Sequence, residues 1–114
     1  MNIEIKFKNK KLKLNVNKTG CFTAGLGLMF RTKNTPNLLF DLGMNVNAGI
    51  TSVFVFFPFL VLWLDERNNV IEHRIVKPFR LFVKPRFEFR KFIEIPQNKK
   101  NRRIIKIFVD KGKI

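Results

Sequence analysis

Cysteine, histidine and tryptophan each occur once in this 114-residue chain, and tyrosine is missing altogether. A lone Cys21 cannot close an internal disulfide, which fits a reducing compartment and predicts a cytoplasmic location. Next to Gly20 and Lys18 it reads as a small buried apolar residue rather than a reactive thiol. His73 is the only imidazole, and no serine or cysteine can be argued to sit beside it as a nucleophile. Flanked by Glu72 and Arg74 on a strand-like segment, it reads as a surface side chain. Acids are scarce, eight against 23 Lys and Arg. Asp41, Asp65, Glu66, Glu72, Glu88 and Glu94 show no carboxylate-ligand spacing, and no zinc or calcium pattern occurs. The glycines form neither G-x-G-x-x-G nor a Walker loop. Residues 1–6 hold no apolar signal core and no cleavage site, so no secretory signal is expected. The sequence therefore predicts no catalytic site, no cofactor and no metal.

What is abundant is grease and positive charge. Residues 50–64, ITSVFVFFPFLVLWL, contain nothing more polar than Thr51 and Ser52. As a helix, residues 48–64 would span about 25 Å, short of the roughly 30 Å hydrocarbon core of a bilayer. Pro58 would break such a helix in mid-span. The Val, Ile, Phe and Trp content favours an extended backbone. Both alternation sets are apolar: Phe54, Phe56, Leu60 and Leu62 on one side, Val53, Val55, Phe57, Val61 and Trp63 on the other. That pattern marks strands covered on both faces, with Pro58 dividing the run into two, rather than a membrane span.

Around this centre the chain reads as a series of short strands. Residues 2–16 form a hairpin, Ile3, Ile5, Phe7, Leu12, Leu14 and Val16 facing inward, with Asn9-Lys10 as the turn. Its other face carries Lys6, Lys8, Lys11 and Lys13. Residues 19–31 show helical spacing of Phe22, Leu26, Met29 and Phe30, interrupted by glycine, and predict one short helix. Residues 34–36 are a turn, 37–42 a strand and 43–49 a loop. The 65–69 turn joins the apolar run to a strand at 70–76. Pro78 and Pro85 make 77–86 a constrained extended segment. Residues 87–95 and 104–109 read as the last two strands, separated by the polar run 97–103. The whole chain, 1–114, reads as a single domain, mainly β, a sandwich or barrel of about seven short strands.

An ordered set of local signatures runs through this frame. Gly27-Leu28-Met29-Phe30-Arg31 is followed by Leu39-Phe40, Phe57-Pro58, Leu62-Trp63-Leu64-Asp65, Lys77-Pro78-Phe79-Arg80 and Ile93-Glu94-Ile95-Pro96. In this the chain resembles uncharacterised protein family 0127, the domain of unknown function 192, whose members carry GLMFR, F-P-I-D-x-x-F-L-D, K-P-W-R and L-E-L-P in this order. The resemblance covers about residues 20–96. It implies a small, mainly β sandwich or barrel with a short helix, and no established activity. The family's acid after F-P-I is Leu60 here, its polar His falls at about Thr51, and its final G-D element is only loosely matched by residues 110–114. A site built on that acid and His is absent from this member.

The net charge of +15 creates a potential attractive to nucleic acid, anionic lipid or acidic proteins. Part of it follows from a composition rich in Lys, Asn, Ile and Phe, as an AT-rich coding sequence gives. Lys99, Lys100, Arg102 and Arg103 cluster in the 97–103 loop. Lys77 and Arg80 flank Pro78, whose fixed φ steadies the Arg80 side chain's origin. Phe79, Phe82, Phe87 and Phe89 interleave with Lys84, Arg86, Arg90 and Lys91, as in backbone neutralisation combined with base stacking. The same alternation describes any strand with one buried and one wet face. Three readings stay open. The first is nucleic-acid binding through Lys77, Arg80, Lys99, Lys100, Arg102 and Arg103. The second is a protein-interaction or structural module that receives an acidic partner. The third is a barrel mouth lined by Phe and Trp63 that holds a small ligand.

Overall fold

The alternation of Ile3, Ile5 and Phe7 with polar residues makes β1 (Asn2–Phe7), which pairs antiparallel with β2 (Lys10–Asn15). In the computed structural model, which describes residues 1–19, 31–50, 52, 55–80 and 83–111, the hairpin turn is Lys8-Asn9, one residue earlier than expected. Phe7 opposes Lys10, which leaves a two-residue loop, and such loops need positive φ at both positions. Lys8 and Asn9 have φ of 48° and 65°.

The remaining strands form one five-stranded sheet. β3 (Asn17–Thr19) runs parallel to β4 (Leu38–Val46), which pairs antiparallel with β7 (Phe89–Pro96). β5 (Phe59–Leu64) lies between β7 and β6 (Val70–Val76), giving the order β3-β4-β7-β5-β6. The turn between β5 and β6 is built by Asp65. Its carboxylate accepts the Arg67 and Asn69 backbone N–H groups and the Asn69 amide, each at 2.9 Å. Those bonds outweigh the desolvation of burial and hold Asp65 below the usual carboxylate range.

Every residue of β5 is buried. Leu60, Leu62 and Leu64 join Leu39, Ile93 and Ile95 under the hairpin's Ile3, Ile5 and Leu14. Phe59, Val61 and Trp63 join Phe40, Phe89 and Phe92, with Val55, Phe57 and Val83 covering them from the connecting segments. Both alternation sets of the apolar run are therefore needed, one for each side of the sheet. Pro58 does end the ladder. Before it, however, the described residues do not form a second strand; Ile50 makes only an isolated bridge to Val83. Among the described residues, no helix is long and apolar enough to cross a membrane.

Residues 104–109 are not a strand. They belong to α1 (Arg102–Lys111), which lays Ile105 and Phe108 on the first cluster. The β-branched content suggested extension, but Ile105 and Phe108 also share a helical face, and burial of that face overrides propensity. Asn101 stands at the amino end, its carbonyl accepting the Ile105 N–H at 2.9 Å. The helix expected near 19–31 falls almost wholly on residues outside those described. Among the described residues, the seven strands divide into a two-stranded and a five-stranded sheet, stacked as layers, with β3 and β6 at the ends of the larger one.

One ionisable group lies inside the second cluster. Glu94, 3% exposed, opposes Leu38 and Val61 in register. Its Oε1 has no hydrogen-bond partner among the described residues, and neither has the Trp63 indole N–H. Burial pushes the carboxyl up to about 8, so it is neutral at pH 7.

Two outcomes follow. The Phe108 ring is fully buried and lies 4.5 Å from that of Phe7. Phe108→Ala is therefore expected to lower the unfolding free energy by about 3–5 kcal/mol in urea titrations. Glu94 holds its proton to about pH 8 when folded but releases it near 4.5 when unfolded. Its contribution to stability is complete below about pH 4.5 and is lost as pH rises through 8. Melting temperatures of wild type and Glu94→Gln, followed from pH 5 to 8, should diverge in the variant's favour as pH rises. Parallel curves would contradict the buried, protonated carboxyl.

Candidate nucleic-acid interface

The strand register decides where the cations go. Val76 opposes Phe59, and Phe59 opposes Pro96. β6 and β7 thus finish, and β5 begins, at one end of the sheet. Lys77 and the 97–103 loop leave that end two strand spacings apart, about 10 Å. Gln97 closes the junction by donating its N–H to the Pro58 carbonyl at 3.0 Å. β4 starts at the same end, and Asn98 Nδ2 donates to the Lys33 carbonyl at 2.6 Å, which brings Lys33 alongside. Lys77, Arg80, Lys99, Lys100, Arg102 and Arg103 are all exposed. The six residues chosen from the sequence therefore share one end of the molecule.

The acids are elsewhere. Asp65 and Glu66 lie in the β5–β6 turn at the opposite end, where the Asn68 amide also reaches the Glu4 carbonyl. Asp41 opposes Lys91, and Glu88 precedes β7. Glu72 is buried, its carboxylate contacting Arg74 at 2.7 Å and Arg86 at 3.3 Å. Desolvation raises its pKa, but the Arg86 N–H, the Arg86 side chain and Arg74 together hold it below the ordinary value. Among the described residues, every exposed charge at the β5-start end is positive. Arg102 and Arg103 add to the field, since they occupy the first turn of α1, where the helix dipole already contributes about half a positive charge.

The 77–80 turn is held from below by Ser52, whose side chain is fully buried. Its Oγ donates to the Lys77 carbonyl at 2.8 Å and accepts the Arg80 N–H at 2.6 Å. Its backbone N–H donates to the Arg80 carbonyl at 2.8 Å, and its carbonyl accepts the Phe79 N–H at 2.9 Å. These four bonds fix Phe79 at φ +63°, a left-handed conformation that bulky side chains rarely adopt. The consequence is a ring pushed into solvent. Phe79 is 58% exposed and meets Phe56, also 58% exposed, edge to face at 5.5 Å. Sequence reasoning placed Phe56 in the buried run and gave Ser52 no role. A lone serine in an apolar stretch, paired with a K-P-F-R turn, was the available signal.

Other expectations divide. Lys84, Arg86, Arg90 and Lys91 do not join the cationic end: Arg86 is tied to Glu72, and Lys91 Nζ donates to Asn68 at 2.7 Å. Phe87 is exposed beneath the Arg86 guanidinium, Phe89 is buried core, and Phe82 lies outside the described residues. His73 is not a free surface group. Its ring sits against Phe7 at 5.4 Å and Phe108 at 5.2 Å, and burial, aided by Lys8 and opposed by Glu72, lowers its pKa. Cys21 lies outside the described residues. Among those described, no group of three or more His, Cys, Asp or Glu could hold a metal. Trp63 is fully buried, so it lines no barrel mouth. An open cavity of about 600 Å³ occurs instead between β2, residues 34–37 and the start of α1.

No protein-family model matches this chain, and no curated protein matches it in sequence. Two solved structures share the fold. One, from Sinorhizobium meliloti and described as a "putative transcription regulator", superposes with a TM-score of 0.71 at 17% identity, over 89% of this chain and 81% of its own. The other, a protein of unknown function from Novosphingobium aromaticivorans, gives a TM-score of 0.72 at 13% identity, over 90% of this chain and 76% of its own. The chain is thus similar in fold to both.

Proposed function

We propose that this chain is a small, non-enzymatic β domain that binds single-stranded nucleic acid, without sharp sequence preference, through the end of the sheet where β5 begins. The observation that carries this reading is the solvent-facing Phe56–Phe79 pair mounted between Lys77 and Arg80. Cations alone serve any polyanion. Exposed rings beside them add a surface on which bases stack, a contact worth about 1–3 kcal/mol per base and indifferent to base identity. The local geometry supports that use, because a strained backbone held by four hydrogen bonds keeps an apolar ring wet where simple folding would hide it. Lys99, Lys100, Arg102 and Arg103 extend the positive surface along β7 and α1 for the phosphates of neighbouring nucleotides.

An acidic protein partner is the competing reading for the same cations, but it gives no role to two wet phenyl rings. The description of the Sinorhizobium meliloti neighbour is compatible with nucleic-acid binding. Membership of uncharacterised protein family 0127 and a cytoplasmic location belong to this proposal as well. The first rests on the ordered motifs from Gly27 to Pro96, the second on the lone Cys21.

The test is fluorescence anisotropy with a labelled, mixed-sequence single strand. Binding at about 50 mM salt should weaken as salt is added, with log K falling by about 0.7 per log unit of salt for each phosphate neutralised. Lys77→Ala combined with Arg80→Ala should flatten that slope by about 1.4. Phe79→Ala should weaken binding by about 1–3 kcal/mol and leave the slope unchanged. No binding at about 50 mM salt defeats the proposal, and a Phe79→Ala variant that binds like its parent removes its central observation.

A further inference from the structure

Six of the chain's twelve asparagines converge on the open cavity of about 600 Å³ beside α1. They arrive in three pairs from distant parts of the sequence: Asn15 and Asn17, Asn34 and Asn37, Asn98 and Asn101. A coding bias toward asparagine would scatter them; the fold gathers them. The volume falls within the roughly 300–1,000 Å³ of ordinary small-molecule sites.

Three of these side chains build the wall. Asn101 Nδ2 donates to Asn37 Oδ1 at 2.9 Å and to the Pro96 carbonyl at 2.7 Å. Asn37 Nδ2 donates to the Asn15 carbonyl at 3.2 Å. Asn98 accepts the Asn101 N–H at 3.0 Å while its amide holds residue 33. These bonds lock β2, the 34–37 turn and the start of α1 together. The side chains of Asn17 and Asn34 make no hydrogen bond among the described residues. Each therefore offers an N–H donor pair beside a carbonyl acceptor, the pattern that reads the edge of a base and pairs bidentately with adenine.

The rest of the lining suits the same ligand. Leu12, Leu14, Ile104 and Ile107 supply an apolar side. Among the described residues, Lys13, Lys100 and Arg103 are the charged ones that line the cavity, no acid does so, and none of the three is ion-paired. We propose that this cavity binds a nucleoside phosphate: base edge on Asn17 and Asn34, base face on the apolar side, phosphate at Lys100 and Arg103. An acidic peptide would use the cations but leave the amides idle. The ligand is either a free nucleotide or one unit of a bound strand, and only the second source rests on the function proposed above.

The experiment titrates the full chain with adenosine monophosphate, using inorganic phosphate and adenosine as comparators. The nucleotide is expected to bind at least tenfold more tightly than either part. Asn17→Ala with Asn34→Ala should cost at least tenfold for the nucleotide and leave inorganic phosphate unchanged, whereas Phe79→Ala should leave the nucleotide unchanged. Displacement of the nucleotide by a mixed single strand whose own binding the asparagine pair weakens tenfold identifies the cavity as holding a strand unit; strand binding untouched by the asparagine pair identifies the free nucleotide as ligand. If the nucleotide fails to bind but the asparagine pair still weakens strand binding tenfold, the site takes the nucleotide only within a strand. Equal affinity for nucleotide and phosphate, or no effect of the asparagine variant on nucleotide or strand, overturns the proposal even where the strand binds at Phe79.

Discussion

Removal of Phe59–Leu64 from water is the constraint on which the other elements depend. A strand with six apolar side chains and no wet face cannot end a sheet or lie on a surface, so it needs a neighbour on each edge and a layer on each side. β7 and β6 satisfy the edges. The hairpin and α1 close one side, and Val55, Phe57 and Val83 of the connecting segments close the other. The exposed Phe56 lies on the first of these segments and meets Phe79 of the 77–80 turn.

Charge is arranged by the same framework. With 23 cations and eight acids, neutralisation is impossible, and the distribution of the acids decides the shape of the field. Glu72 is used internally by two arginines, Glu94 is buried and uncharged, and Asp65 organises a turn. None of these three stands exposed at the far end. There Arg102 and Arg103 open a helix whose dipole has their own sign. Such an arrangement is unfavourable in isolation and is relieved by an anion.

The parts of the fold that could be read from sequence were those set by alternation. The hairpin, the 65–69 turn and the strands near 70–76 and 87–95 show a period of two or a turn residue with a definite role. Residues 104–109 misled because isoleucine, valine and phenylalanine satisfy both a strand and the buried face of a helix; docking on Phe7 and the rest of the first cluster decides between them, and that contact is not written locally. The cationic residues were visible as clusters, but their convergence depends on which strand ends are neighbours. Ser52 and Phe56 were hidden inside a run whose hydrophobicity implied burial throughout. The asparagine cavity was invisible, since its three walls lie more than fifteen residues apart in the chain.

The parallel pairing of β3 with β4 carries one wall of that cavity. Asn17 can meet Leu38 only after the intervening chain has closed on itself, an ordering cost that hairpins avoid. The corner rests on a three-residue pairing at the edge of the sheet, where local opening costs least. A ligand of the proposed kind would fasten the β3 edge to the remainder of the sheet and slow amide exchange at residues 17–19 and 38–40.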